Sequence, residues 1–245
     1  MTFLLTVLTV VAWSEPSLTS KMLDKSMPAS LRNDACFALR GNKSPEVVEA
    51  DALALKDPKM RRCAEENLRL AGAIDAFKAV LEDENPELRA VGARVLGTFQ
   101  KPELAPLIAK AGADSQLLVG TNAIEGLSYY TDRTAVPYFL ELSKRTGIVG
   151  SLAFEQLIRL NAKEALVPAR ELIASNEPAD LLAAMRVLGT MGDKTDIPLL
   201  EGVAKRFPDV ANSKLPSRGF GFMPPISLFR AAESSIDQIR TRKID

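Results

Sequence analysis

Residues 85–97 read Asn85-Pro86-Glu87-Leu88-Arg89-Ala90-Val91-Gly92-Ala93-Arg94-Val95-Leu96-Gly97, and a turn later Lys101-Pro102-Glu103-Leu104-Ala105-Pro106-Leu107-Ile108 begins a second apolar-rich run. The pattern is a helix, a turn and a second helix. Asn85 is placed to cap the first helix by accepting from an orphan backbone N–H. Pro86 fits the first helical position, where a missing N–H costs nothing. Leu88, Val91, Gly92, Val95 and Leu96 share one face at helical spacing, and Gly97 is read as the C-terminal stop.

The unit recurs. Aligned on the small residue at Gly92, counterparts fall at Ala35, Ala64, Thr121, Ala153, Ala184 and Ala232. The interval is about 30 residues as far as Ala184 and longer before Ala232. A fixed period of this size marks a solenoid, because one helix pair cannot bury its apolar face without stacked neighbours. The partner helices carry a proline within an apolar run, at Pro106, Pro137, Pro168 and Pro198, with Ala76 in that slot of an earlier repeat. Proline is tolerated there because the first helical turn leaves its N–H groups unpaired.

Asp57-Pro58-Lys59-Met60-Arg61-Arg62-Cys63-Ala64 and the Asn85 copy resemble the HEAT-repeat family, whose second helix often opens Asp-Pro-x-apolar-Arg and continues through Ala to Leu-Gly. The resemblance covers roughly Ser26 to Arg240. It implies an all-α fold: a right-handed α-solenoid of about seven stacked antiparallel helix pairs, of the HEAT-like or armadillo type. It also implies that Asp57, Arg61, Asn85 and Arg89 form a polar ladder between repeats, confined to the first three, and that the second helices line a concave groove. On that side lie Arg62, Glu66, Arg69, Arg94, Glu125, Glu155, Arg159 and Arg186, the candidate contacts for a partner.

Composition narrows the function classes. Of 245 residues, 47% are apolar and 25% charged, enough for a continuous core. Lysine plus arginine equals aspartate plus glutamate at 31 each, so nothing favours nucleic acid or an anionic membrane. Histidine is absent, which removes Ser-His-Asp and Cys-His catalysis and the usual catalytic zinc sets. The expectation is a chain that is not an enzyme and has no catalytic residues, cofactor or metal. Carboxylates such as Glu46, Glu49 and Asp51 are read as an acidic outer helix face.

Residues 1–14 read as a signal peptide: Thr2 to Trp13 is apolar, too short to span a bilayer, with Ala12 and Ser14 placed as a small-residue cleavage site. The n-region lacks Lys and Arg, and a buried N-terminal helix is the competing reading. Residues 15–26 are read as a polar leader, followed by one HEAT-like domain over 27–245 with an inserted loop at 207–225. That loop carries Phe220 and Phe222, which serve either as an exposed apolar hook or as a seal over the last repeat. Cys36 and Cys63 project from opposite flanks of adjacent helices, so they either face each other and form a disulfide or remain two separate thiols. The reading is a protein- or peptide-binding scaffold of the cell envelope or extracellular space, with no membrane span once the signal is removed. The alternative is a HEAT-like lyase-type enzyme or a cytosolic adaptor, should the N-terminal segment not be an export signal.

Overall fold

The computed structural model describes residues 16–208 and 227–242. Residues 1–15, 209–226 and 243–245 lie outside that description, and with them the expected signal peptide and the loop residues Phe220 and Phe222. The described residues form an all-α solenoid without a strand among them. In chain order the helices are α1 (Leu18–Leu23), α2 (Ala29–Ala38), α3 (Pro45–Ala54), α4 (Arg61–Ala71), α5 (Ile74–Val80), α6 (Pro86–Thr98) and α7 (Ala105–Gly112). They continue with α8 (Leu117–Ser128), α9 (Val136–Leu142), α10 (Ile148–Arg159), α11 (Leu166–Leu172), α12 (Pro178–Met191), α13 (Ile197–Arg206) and α14 (Leu228–Thr241). Ala35, Ala64, Gly92, Ala153, Ala184 and Ala232 all fall on even-numbered helices and all are buried.

Two compact units divide the chain, one ending at Ala76 and the other beginning at Phe77. In the first, α1 packs on α2 and α3, and α4 on α2 and α3. The stretch expected as a polar leader contains α1, capped by Ser17, and buries Met22 completely. One helix of six residues has too few apolar positions to show a period, which is why it reads as polar. Met22, Cys36, Leu55, Met60 and Leu68 make the core, and a Cys36–Cys63 disulfide joins α2 to α4 across a Cα–Cα distance of 6.3 Å. The two thiol positions therefore face each other. Asp51, expected on an acidic outer face, is instead only 1% exposed. Its helix alternates Val47, Ala50, Asp51 and Ala54 on the buried side, and small neighbours leave room for a carboxyl.

In the second unit the even helices stack in succession, α6 on α8, α8 on α10, α10 on α12 and α12 on α14, with α7, α9, α11 and α13 packed beside them. Asn85 caps α6 by accepting from the Glu87 N–H at 2.9 Å, as the sequence predicts. Gly97 does not end the helix, which runs on to Thr98; it lies where α6 meets α8. A Cβ there would stand 1.9 Å from the Gly126 carbonyl oxygen, so glycine is required by close backbone approach rather than by a turn. The small core residue of α8 is Ala123, fully buried, and not Thr121. The Thr121 hydroxyl instead donates to the Leu117 and Leu118 carbonyls on a half-buried flank.

The polar links differ from the expected ladder. Asp57 accepts from Arg32 of the preceding second helix at 2.7 Å, with Arg32 Nε on the Met22 carbonyl. Arg61 donates to the Leu55 carbonyl of its own repeat, and Asn85 is spent on its cap. Arg89 pairs with Asp114 at 2.8 Å, one repeat further on, and holds that carboxyl below the usual carboxylate range. Nor do such pairs stop after the third repeat, because Arg170 pairs with the buried Asp196 at 2.7 Å. The acid stands about 25 residues after its arginine, on the next repeat, and a search for i, i+4 pairs within one helix misses that spacing.

Candidate functional site

The buried residues of the second unit put its second helices in register. Val119, Ala123 and Leu127 of α8 match Val149, Ala153 and Leu157 of α10 and Asp180, Ala184 and Leu188 of α12. In this register Glu125, Glu155 and Arg186 are equivalent positions, one per helix. They are partly or fully exposed, and each stands one turn beyond a small or apolar residue or Asn, at Asn122, Leu152 or Ala183. A further turn towards the helix start, Leu118, Ile148 and Ala179 are equivalent in the same way.

That surface is hollowed between α10 and α12. Ile148, Leu152, Leu182 and Ala183 line a groove of about 370 Å³, and Glu155 and Arg186 stand at its charged edge. The two close an ion pair at 2.6 Å across the helices. Both side chains are partly exposed, so the pair holds the edge of the groove without adding much stability. The apolar lining is open: Ile148 is 54% exposed, and on the neighbouring α8 Leu117 and Leu118 are 52% and 48% exposed. A helix with its buried stripe at Val119, Gly120 and Ala123 cannot also bury both leucines preceding it. The apolar run Leu117-Leu118-Val119 is longer than one face can absorb, and that excess is the sequence signal for an exposed patch. A search by charge and polarity passes over it.

The other expected contact residues are dispersed. Arg159 donates to the Ser128 and Tyr130 carbonyls at the end of α8, so it stitches repeats together. Arg94 is half-buried on α6, and Glu125 is exposed on α8. In the first unit, Glu66 accepts from Arg40 and from Arg69, both on the surface, while Arg62 is exposed. Of the eight charged candidates, the geometry brings together Glu155 with Arg186, and Glu66 with Arg69. Among the described residues, no group of three Cys, Asp or Glu side chains is placed to hold a metal ion, and no helix is long and apolar enough to cross a membrane.

Residues 74–149 match the family model for HEAT repeats. No curated protein matches the chain. Among solved structures, human deoxyhypusine hydroxylase in complex with glycerol aligns at 15% identity and a TM-score of 0.37, over 92% of this chain and 95% of that one. The complex of CpcE and CpcF of phycocyanin lyase from Nostoc sp. PCC7120 aligns at 17% identity and a TM-score of 0.39, over 96% of this chain and 99% of that one. The expectation of a chain that is not an enzyme does not stand, both of these proteins being enzymes, and neither likeness assigns an activity here. The lack of histidine excludes histidine chemistry and nothing wider. At such identities the likeness is one of fold, and no reaction or site passes from either protein to this chain.

Proposed function

We propose that this chain, which carries HEAT repeats over residues 74–149, binds a protein or peptide segment along the second helices of residues 117–186. The observation that carries the reading is the open apolar groove between α10 and α12, continued by exposed Leu117 and Leu118. A contiguous apolar surface with a polar edge is what a partner's apolar side chains cover, and stacked repeats offer such surfaces in extended form. In this reading apolar anchors of the partner enter between Ile148, Leu152 and Leu182, and the Glu155–Arg186 pair orders the polar rim. The buried Cys36–Cys63 disulfide supports an oxidising compartment, the periplasm or the extracellular space, as the place of action.

The test is selection of peptides from a displayed random library on the immobilised full chain, repeated with a variant carrying both Ile148→Asp and Leu182→Asp. Selected peptides are expected to share apolar residues at helical spacing and to lose at least about tenfold in affinity for the variant, or about 1.4 kcal/mol. Circular dichroism of the variant must match the parent, since Ile148 is exposed and Leu182 half-exposed. Undiminished binding to the folded variant, or no enrichment, defeats the reading.

A further inference from the structure

Asp51 is a buried acid with no ordinary compensation. Of the other buried carboxyls, Asp180 accepts from the Gly147 N–H and the Ser175 hydroxyl, and Asp196 from Arg170 and the Asp193 N–H. Among the described residues Asp51 has the Asn67 amide, at 3.2 Å. Burial is the larger influence and pushes its pKa up to about 6, with the Asn67 amide pulling the other way. Of the charged side chains on the helices packed around it, Arg32 of α2 pairs with Asp57, Arg69 of α4 with Glu66, and Glu46 of α3 accepts from Thr19 of α1, while Asp34, Glu49 and Arg62 are exposed.

The same Asn67 Nδ2 also donates to the Cys36 carbonyl at 3.0 Å and lies 3.6 Å from the Cys36 sulfur. Two amide N–H bonds therefore face three acceptors, one of them half of the disulfide. Asn67 is 2% exposed, Cys36 0% and Cys63 4%, so carboxyl, amide and disulfide share one dry site bounded by α2, α3 and α4. The disulfide ties α2 to α4 beside that carboxyl.

We propose that the disulfide and Asp51 form one redox-linked proton switch: reducing the Cys36–Cys63 bond makes Asp51 a stronger acid, and ionising Asp51 makes the bond easier to reduce. The reductant is an external dithiol. Its thiolate attacks one sulfur, its second thiol resolves the mixed disulfide, and two electrons and two protons end on Cys36 and Cys63 as thiols while the reagent becomes a disulfide. The Cys36 sulfur then carries an S–H donor where it had only acceptor character, and the loss of the tie admits water to Asp51. Both changes favour the carboxylate. Linkage makes the effect reciprocal: each unit by which reduction lowers the Asp51 pKa favours reduction about tenfold at pH values above 6 relative to low pH.

The experiment equilibrates the full chain with reduced and oxidised dithiothreitol between pH 4.5 and 7.5, approached from both directions and read as alkylated thiols by mass. The side-chain carboxyl of Asp51 is titrated by carbon NMR in each redox state. Expected are a lower Asp51 midpoint in the reduced protein, and a reduction equilibrium that rises as pH climbs through 6 and is flat in Asp51→Asn. Equal midpoints in the two states overturn the proposal, as does a pH dependence that survives in Asp51→Asn. Loss of helical circular dichroism on reduction overturns it too, because the coupling then belongs to unfolding.

Discussion

Replacing Gly97 by alanine sets two effects of opposite sign against each other. In a solvated helix, alanine is better than glycine by about 1 kcal/mol. At Gly97, however, the new Cβ would lie 1.9 Å from the Gly126 carbonyl oxygen, 2.4 Å from its carbon and 2.6 Å from its Cα. These are backbone atoms of α8, so no side chain can rotate away, and α6 and α8 must separate by more than an ångström to restore ordinary contact. Overpacking that a side chain can relieve costs about 1–3 kcal/mol. A backbone clash across a helix pair with buried Val95, Leu96, Ala123 and Leu127 is expected at or above the top of that range. The net loss is then roughly 2 kcal/mol or more after the propensity gain, a fall in Tm on the order of 4–8 °C for a unit this size. Gly202 supplies the control, being inside α13 with nothing within 4 Å of an added Cβ, so Gly202→Ala gains about 1 kcal/mol. Thermal unfolding followed by far-ultraviolet circular dichroism, with the disulfide kept intact, distinguishes them. Gly97→Ala as stable as Gly202→Ala would show that α6 and α8 do not meet as described.

Asp51→Asn keeps an acceptor for Asn67 and removes the cost of a buried charge. The folded pKa of about 6 lies above the ordinary 3.8, so the parent is most penalised above pH 6 and the penalty fades as pH falls towards 3.8. The variant is expected to be more stable by up to about 3 kcal/mol at pH 7.5 and no more stable near pH 3.5, measured by urea unfolding at each pH. Asp57→Ala leaves the Arg32 guanidinium, 5% exposed, without its carboxylate, and is expected to cost about 3–5 kcal/mol by the same assay. Glu66→Ala removes only surface pairs and is expected to cost less than about 1 kcal/mol.

The repeat was legible because stacking demands a small residue and an apolar stripe in every second helix, and both survive as pattern in Ala64, Gly92, Ala153 and Ala184. The cap at Asn85 was legible for the same reason, since it depends on neighbours in the chain. What escaped was set by neighbours in space. Gly97 looks like a helix stop in one dimension and is a helix contact in three. Asp51 sits at a spacing that reads as surface, and only the packing of neighbouring helices buries it. Thr121 and Ala123 are two residues apart, and the choice of which faces the core is made by the helices packed on α8 rather than by local sequence. The charged members of the candidate site, Glu155 and Arg186, were found from their place on the second helices. Their apolar companions Ile148, Leu152 and Leu182 were missed, because an apolar residue on a helix is read as core until a neighbour fails to cover it.

If the second helices of residues 117–186 receive a partner's apolar side chains, amide hydrogen exchange of the full chain with and without a saturating peptide from the displayed-library selection locates the contact on them. Protection is expected over the first two turns of α10 and α12 and at Leu117 and Leu118, with α9, α11 and α13 unchanged. Protection confined to α9, α11 and α13, or none on α10 and α12, would contradict that placement.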